Sequence, residues 1–494
     1  MTHPHRFMCR DIMSHDTLYL RSIQLSKRRN DYLPLRTGNG SSPGVSTNPS
    51  TPQGRYGYYR RPDRDDMNRG RRLLVFGIVF LVCGSLLGVQ GITADAGTSA
   101  RAAGDGPYPG NTLISVQTYR SNEGRLIEVS PDGEVVWEFA PPNSRVFDGE
   151  ELANGNMLVA YTTRLPPEEC PERFLRYEES HCIRNQVVEL DGDTLQGSQE
   201  VVWRYAWLDE KLFGHEVHDA DRLPGGGTAI ADMGNDRAFV VNEEGNVTWE
   251  WRATEHLGRN SSFRERYGGP QNPGRERDWT HMNDIDLLGN GNFELSIRNF
   301  DVVVEVDRES KRIVNVLGEP GKRSLMYHQH NPYRLTRWGT TIIADSENHR
   351  IVEIDRETEE IVWSYGGKDL LRYPRDADRL PNGNTLITDT INNRVVEINP
   401  EGEIVWEYEG IRIPYSADRL SVDEEDGETV PGWRLEGRTE EVGTVVGTVR
   451  QLEGWGAWVF PIWMRLPEMA AFLGAVLAGF AVLADLGVGW WRRR

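Results

Sequence analysis

Histidine is scarce in this chain, 11 residues in 494, yet two of them stand side by side but one in "LMYHQHNPYRL" at 325–335, as His328 and His330. Two more occur in "HDADRL" and "HMND", as His218 and His281. An imidazole near neutral pH serves as a nucleophile, a proton carrier or a metal ligand. Which role applies depends on what the chain places beside it. Side chains two apart on a strand share a face, so His328 and His330 are expected to point the same way.

The elements that must position them repeat. Between residues 110 and 420 one pattern recurs: a polar lead-in of the "DRLPNGNT" type, an apolar run, a turn, "RVVEI", a second turn, then "GEIVWEY". The clearest copy is "DADRLPNGNTLITDTINNRVVEINPEGEIVWEYEG" at 376–410. Short β-type runs separated by Asn, Gly, Asp and Pro turns are hairpin signals. Trp137, Trp203, Trp249, Asn315, Trp363 and Trp406 take one equivalent position, and the shorter intervals between them match the four-strand blade of a propeller, about 40–50 residues. The two longer intervals require insertions, one around Cys170–Cys182 and one over 253–278, a Gly/Arg-rich loop expected over one mouth of the channel. The first copy lacks its lead-in strand, while "PYSADRLS" at 414–421 is a lead-in strand with no blade after it. The fold expected is therefore all-β: a six-bladed β-propeller closed by pairing of the C-terminal strand with the first blade, so that no sheet edge is left open at the seam.

In a propeller the first strand of each blade lines the axis. Aligning the copies brings Asp148, Asp219, Asp284, Asn331, Asp376 and Ser416 into register. The residues one and three places earlier are then expected on the channel face: Arg145 with Phe147, Glu216 with His218, His281 with Asn283, His328 with His330, Tyr373 with Arg375, and Ile413 with Tyr415. Histidines of three consecutive blades thus converge. Arg298, in "SIRN", follows a position that is Asp232, Asp345 and Asp389 in other copies but Ile297 here. Exchange of a repeat acid with gain of an arginine marks a blade altered for a ligand.

Composition bounds the setting. Net charge is −19, and the basic residues are almost all arginine, with Lys27, Lys211, Lys311, Lys322 and Lys368 the only lysines. Such an acidic surface excludes nucleic acid as the natural partner and fits a halophilic protein, because salt screens self-repulsion. "LLVFGIVFLVCGSLLGVQGI" at 73–92 and "MAAFLGAVLAGFAVLADLGVGWW" at 469–491 are long enough to cross a bilayer. "RGRR" precedes the first and "RRR" follows the second, which places both termini in the cytoplasm and the intervening chain outside the cell membrane. A cleaved signal is the alternative for the first span. The division expected is a disordered cytoplasmic tail at 1–70, a transmembrane helix or signal anchor at 71–93, a linker at 94–107, the extracellular propeller at 108–425, a linker and interfacial segment at 426–466, and a transmembrane helix at 467–491. Cys170 and Cys182, the two cysteines left outside the membrane, are expected to form a disulfide.

The blade signature "HDADRLPGGGT", "HMND" followed by "SIRN", and "QHNPYRL" together resemble the arylsulfotransferase family over residues 108–425. That family consists of extracytoplasmic six-bladed propellers that move a sulfuryl group between phenols without a nucleotide donor. The resemblance implies a small-molecule phenolic sulfate, a phenol acceptor and no cofactor. It makes His330 the nucleophile that becomes sulfohistidine, His281 and Asn283 ligands of the sulfuryl oxygens, Arg298 the family arginine and His218 a further catalytic histidine. His328, Tyr373, Arg375 and Tyr415 remain channel residues expected to bind substrate. No phosphate-cradling glycine motif accompanies them. This chain departs from the soluble family pattern in its candidate anchors. Two rivals stand: a membrane-tethered propeller that only binds or adheres, and a metal or quinone site built on the converging imidazoles, although no His or Cys pair has the spacing of a closed zinc site.

Overall fold

The computed structural model describes residues 75–79, 99–102, 106–439 apart from 119–122, 176–180, 193–198, 211–213, 275–277, 368–369, 421 and 423–428, then 460, 464 and 466–491. Six antiparallel sheets form the ring. Blade I consists of Pro414–Arg419, Thr112–Val116, Arg125–Val129 and Val135–Phe139; blade II of Ser144–Glu151, Met157–Leu165, Cys182–Leu190 and Val201–Asp209; blade III of Val217–Arg222, Thr228–Asp232, Arg237–Val241 and Val247–Arg252. Blade IV holds Met282–Leu287, Phe293–Ile297, Val302–Val306 and Ile313–Gly318; blade V His330–Leu335, Thr340–Asp345, Arg350–Asp355 and Ile361–Gly366; blade VI Asp376–Arg379, Thr385–Asp389, Arg394–Ile398 and Ile404–Glu409. The first strands touch one another in cyclic order from I to VI and back, so they line the axis.

Local chemistry explains each blade. In blade VI, "LPNGN" closes the first hairpin with Leu380 N–H donating to Asn384 O at 2.8 Å, and Gly383 supplies the positive φ of +90° that the turn needs. A single 3₁₀ turn, Thr390–Asn392, joins the second and third strands and ends on Asn393 in the left-handed conformation, a state Asn tolerates. Met233–Asn235, Arg298–Phe300 and Ser346–Asn348 are the same turn in blades III, IV and V. Strands alternate buried and exposed at the outer edge, as in the pattern of Val135–Phe139, whereas central strands such as Thr385–Asp389 are buried throughout.

The blades are clasped by repeated side chains. Three of the equivalent tryptophans donate their indole N–H to a turn carbonyl of the next blade: Trp203 to Glu243 at 2.9 Å, Trp249 to Arg308 at 2.8 Å and Trp406 to Pro131 at 2.9 Å. In blades III, VI and I an arginine of the first strand reaches the third-strand glutamate of the preceding blade, Arg222 to Glu189 at 2.6 Å, Arg379 to Glu353 at 3.2 Å and Arg419 to Glu397 at 2.7 Å. Arg334 bridges Glu294 and Glu305 in the same way. Blade I is a composite of both ends of the propeller, with Thr112 opposite Arg419 and Ile114 opposite Ala417.

The stretch 94–107, read as a linker, contributes Ser99–Ala102, which pairs antiparallel with Ile404–Glu409 and covers the edge of blade VI. The 426–466 linker likewise contributes Arg438–Thr439, parallel to the last strand of blade V. Both segments shield an open strand edge, a role that short polar sequences do not announce. Cys170 and Cys182 are disulfide-bonded, with Cα atoms 5.7 Å apart, across the insertion in blade II. Leu466–Trp491 is one helix of 26 residues, long and apolar enough over Pro467–Ala484 to cross a membrane. The first candidate span lies outside the described residues except at 75–79.

Candidate active site in the propeller channel

Side chains enter the channel through a repeated irregularity in the first strands. In blade III, Ala231 pairs with Asp219 and Asp232 with Val217, so His218 is passed over. Asn283 and Phe147 are passed over in the same way in blades IV and II. In blade I, Ile114 pairs with Ala417 and Val116 with Pro414, which leaves Tyr415 and Ser416 opposite Ser115. A bulge re-aims the extra residue and bends the strand; in blades II, III and IV that residue is Phe147, His218 and Asn283.

The rings that meet there are Phe147, His218, His281, His330, Tyr373 and Tyr415. His218 lies 5.2 Å from His281, and His281 lies 6.2 Å from His330, centroid to centroid. Tyr415 touches both His218 at 5.6 Å and His330 at 6.0 Å, with Phe147 beyond it at 5.5 Å. Tyr373 sits 5.8 Å from His330. Two arginines close the group. Arg375 lies over the Tyr415 ring at 4.8 Å and donates to Gln117 Oε1 at 2.5 Å, and Arg298 donates from Nη2 to the Tyr373 hydroxyl at 2.8 Å and from Nη1 to Asn299 Oδ1 at 2.9 Å. Asn283 spends one amide N–H on Gln329 O at 2.9 Å. Its Oδ1 and the Tyr415 hydroxyl are buried with no hydrogen-bond partner among the described residues, and a ligand that met them would relieve that cost.

Burial and charge act strongly on His330 and His218. Burial, then the positive field of Arg375 and Arg298, holds the His330 imidazole well below its usual range. Burial, then His281 and Arg375, does the same to His218. Both are therefore neutral at physiological pH. The Nδ1 of His281 is hydrogen-bonded to the Asp278 carboxylate. Burial alone would raise Asp278, but His281, with Arg298 and Asn299, outweighs it and brings the carboxyl down to about 2. Burial also pushes the Tyr415 hydroxyl well above the usual phenol range, so it stays a donor.

Residue by residue, the structure brings together His218, His281, His330, Asn283, Arg298, Tyr373, Arg375 and Tyr415. It does not put His328 beside His330. His328 lies tilted against Tyr327 at 4.5 Å, approaches Glu347 at 3.8 Å and is in the field of Arg298. His281, His328, Tyr373 and Ile413 all carry positive φ, between 47° and 55°, just ahead of their strands. A left-handed residue breaks the two-residue alternation, so each such side chain leaves along its own direction. Arg145 and Glu216, also expected on the channel face, are spent on each other at 3.3 Å, both almost fully buried. Burial raises Glu216 to about 7 despite the arginine.

Two residues escaped the sequence reading. Asp278 belongs to the 253–278 insertion, which has no counterpart in other blades to align against. Ser346 accepts or donates at 2.8 Å to His330 Nδ1, and it occupies the same turn position as Arg298, so the column that exposed Arg298 held its signal too. Away from the pocket, Asp209, Glu210 and His215 bring ligand atoms within 4.8 Å of one another. There His215 Nδ1 bonds Asp209 Oδ1 at 2.8 Å, and Asn235 Nδ2 donates to the other oxygen at 3.0 Å.

No curated protein matches the chain. Among solved structures it is similar to a protein of unknown function from Bacteroides caccae, at 17% identity over 63% of this chain and 98% of that one, TM-score 0.43. It is also similar to catalytically inactive virginiamycin B lyase from Staphylococcus aureus, at 10% identity over 63% and 88%, TM-score 0.38, and to a chain of a nidogen/laminin complex, at 12% identity over 62% and 97%, TM-score 0.40. Residues 218–337, the segment that carries His218, His281, Asn283, Arg298 and His330, match the family model of the arylsulfotransferases (ASST).

Proposed function

We propose that this protein is an aryl-sulfate sulfotransferase that passes a sulfuryl group from a phenolic sulfate ester to another phenol through a sulfohistidine on His330, without a nucleotide donor. The observation that carries the reading is the meeting of three imidazoles, two of them held neutral, with two arginines and an unpartnered Tyr415 hydroxyl inside the segment that matches the sulfotransferase family.

The chemistry follows from the residues. Neutral His330 attacks sulfur from Nε2; the N–S bond forms as the aryl oxygen–sulfur bond breaks. His281, backed by Asp278, gives a proton to the departing phenolate and later takes one from the acceptor phenol, a contribution of about 10²–10⁴ in rate. Charge spread over the three sulfuryl oxygens is met by fixed donors: Arg298, the second N–H of Asn283, and Tyr415. Neutral His218 lies against Tyr415 and completes the wall. Phe147, Tyr373 and Tyr415 offer ring faces to the aryl groups, and Arg375 adds positive field. Leu466–Trp491 anchors the protein in the membrane, with the propeller outside, both termini inside and small phenols as its partners.

The test is turnover of a chromogenic aryl sulfate with a phenol acceptor by the full chain in detergent, compared with His330→Asn. Phenol release that needs both the acceptor and His330 supports the reading. Equal release by the variant, or none by either protein, favours a propeller that only binds.

A further inference from the structure

Resting on that reading of His330, a further question is which of its two nitrogens is available. A nucleophile must keep a lone pair, and an imidazole with the wrong tautomer presents an N–H instead.

The surroundings of Ser346 decide it. Ser346 is fully buried and opens the 3₁₀ turn after the second strand of blade V. Its Oγ has three polar neighbours: His330 Nδ1 at 2.8 Å, the Pro374 carbonyl at 2.7 Å and the Ala344 carbonyl at 3.3 Å. A hydroxyl has one proton, and carbonyl oxygens only accept. If that proton went to His330 Nδ1, the Pro374 oxygen would face a bare hydroxyl oxygen at 2.7 Å, two buried acceptors in repulsive contact. The consistent arrangement is that Ser346 donates to Pro374 O and accepts from His330 Nδ1–H. We infer that Ser346 is a positioning residue that fixes His330 as the Nδ1–H tautomer and leaves the Nε2 lone pair for the sulfuryl group.

The same bond serves after attack. With sulfur on Nε2, the ring keeps its Nδ1 proton and becomes cationic, so no proton has to leave the nucleophile. The Nδ1–H···Oγ bond is then charge-assisted and stronger than in the resting state, which favours the intermediate over the ground state. Blade VI has Thr390 at the equivalent turn position, and blade III has Met233. A hydroxyl at this position is therefore not demanded by the turn itself.

The experiment uses the full chain in detergent with ¹⁵N-histidine labelling, His330 being assigned by its absence from the His330→Gln spectrum. The expected spectrum has a protonated Nδ1 and a pyridine-type Nε2 for His330. Ser346→Ala is expected to mix or reverse the tautomers and lower kcat on the order of 10- to 100-fold with KM little changed, and Ser346→Thr is expected to restore both. A wild-type spectrum with protonated Nε2 overturns the inference, as does a Ser346→Ala protein with unchanged tautomer. If the tautomer is found but no aryl sulfate turns over, the assignment of Ser346 stands and the sulfuryl-transfer reading is what fails. Because the wild-type spectrum alone decides the tautomer, a poorly folding alanine variant does not block the test.

Discussion

Replacing Arg298 by Gln tests the electrostatics of the pocket most directly. The guanidinium is buried, donates to the Tyr373 hydroxyl at 2.8 Å and to Asn299 at 2.9 Å, and is one of the charges that depress His330. Two separable effects follow. Loss of one preorganised donor to a developing anionic group is expected to lower kcat/KM about 10²- to 10³-fold. Loss of the positive charge lets the His330 pKa rise, because a guanidinium that opposed its protonation is gone; the acid limb of kcat/KM then moves to higher pH. Burial is the larger cause of the depression, so the limb should still lie below the ordinary histidine value. Tyr373→Phe is the control. It removes the hydroxyl contact but keeps the charge, and it should cost less than about tenfold without moving the limb. The assay is initial-rate turnover of a chromogenic aryl sulfate against pH at saturating phenol. A variant within threefold of wild type, or an acid limb that shifts downward, would refute the role given to Arg298.

Further expectations concern the framework. His218 and His330 both have depressed folded-state values relative to 6.5, so below pH 6.5 the unfolded chain binds more protons. Their stabilisation is complete above that pH and is lost as pH falls toward the folded values; denaturant midpoints measured from pH 7.5 to 5 should decline, and less steeply in a His218→Gln/His330→Gln double variant. Arg419 and Glu397 are a fully buried pair at 2.7 Å, so Arg419→Met should destabilise by about 3–5 kcal/mol in chemical denaturation, and adding Glu397→Gln should recover much of it. Opening Cys170–Cys182, which closes a separation of 12 residues, by Cys170→Ser/Cys182→Ser should lower stability by about 2–4 kcal/mol while leaving aryl-sulfate turnover in place, since neither cysteine reaches the pocket.

The fold was legible because its unit repeats. Each copy carries the same lead-in, the same turn residues and a tryptophan at one position, and six copies with an orphan strand at the far end leave little freedom in topology. His218, His281 and His330 could be brought together from that alignment alone. What failed was the fine geometry within the first strands. Two-residue alternation put His328 with His330, Arg145 with Phe147 and Glu216 with His218 on one face, but left-handed residues and bulges at the strand starts redirect side chains one at a time, and no propensity marks a bulge in advance. Asp278 was hidden for a different reason: it lies in an insertion, where register carries no information. Ser346 sits in the same turn column as Arg298, but serine is an ordinary turn residue, and the 2.7 Å contact to Pro374 across the blade boundary is what gives it meaning.

The composite first blade has a consequence for the timing of activity. Tyr415 comes from the strand that completes the circle, 85 residues after His330 in the sequence, and its ring lies against both His218 and His330. A chain made only as far as its last histidine, His349, therefore still lacks the Tyr415 ring that lies against His218 and His330. If the pocket carries out the proposed transfer, its aromatic wall is complete only once the circle is sealed by Pro414–Arg419 pairing with Thr112–Val116.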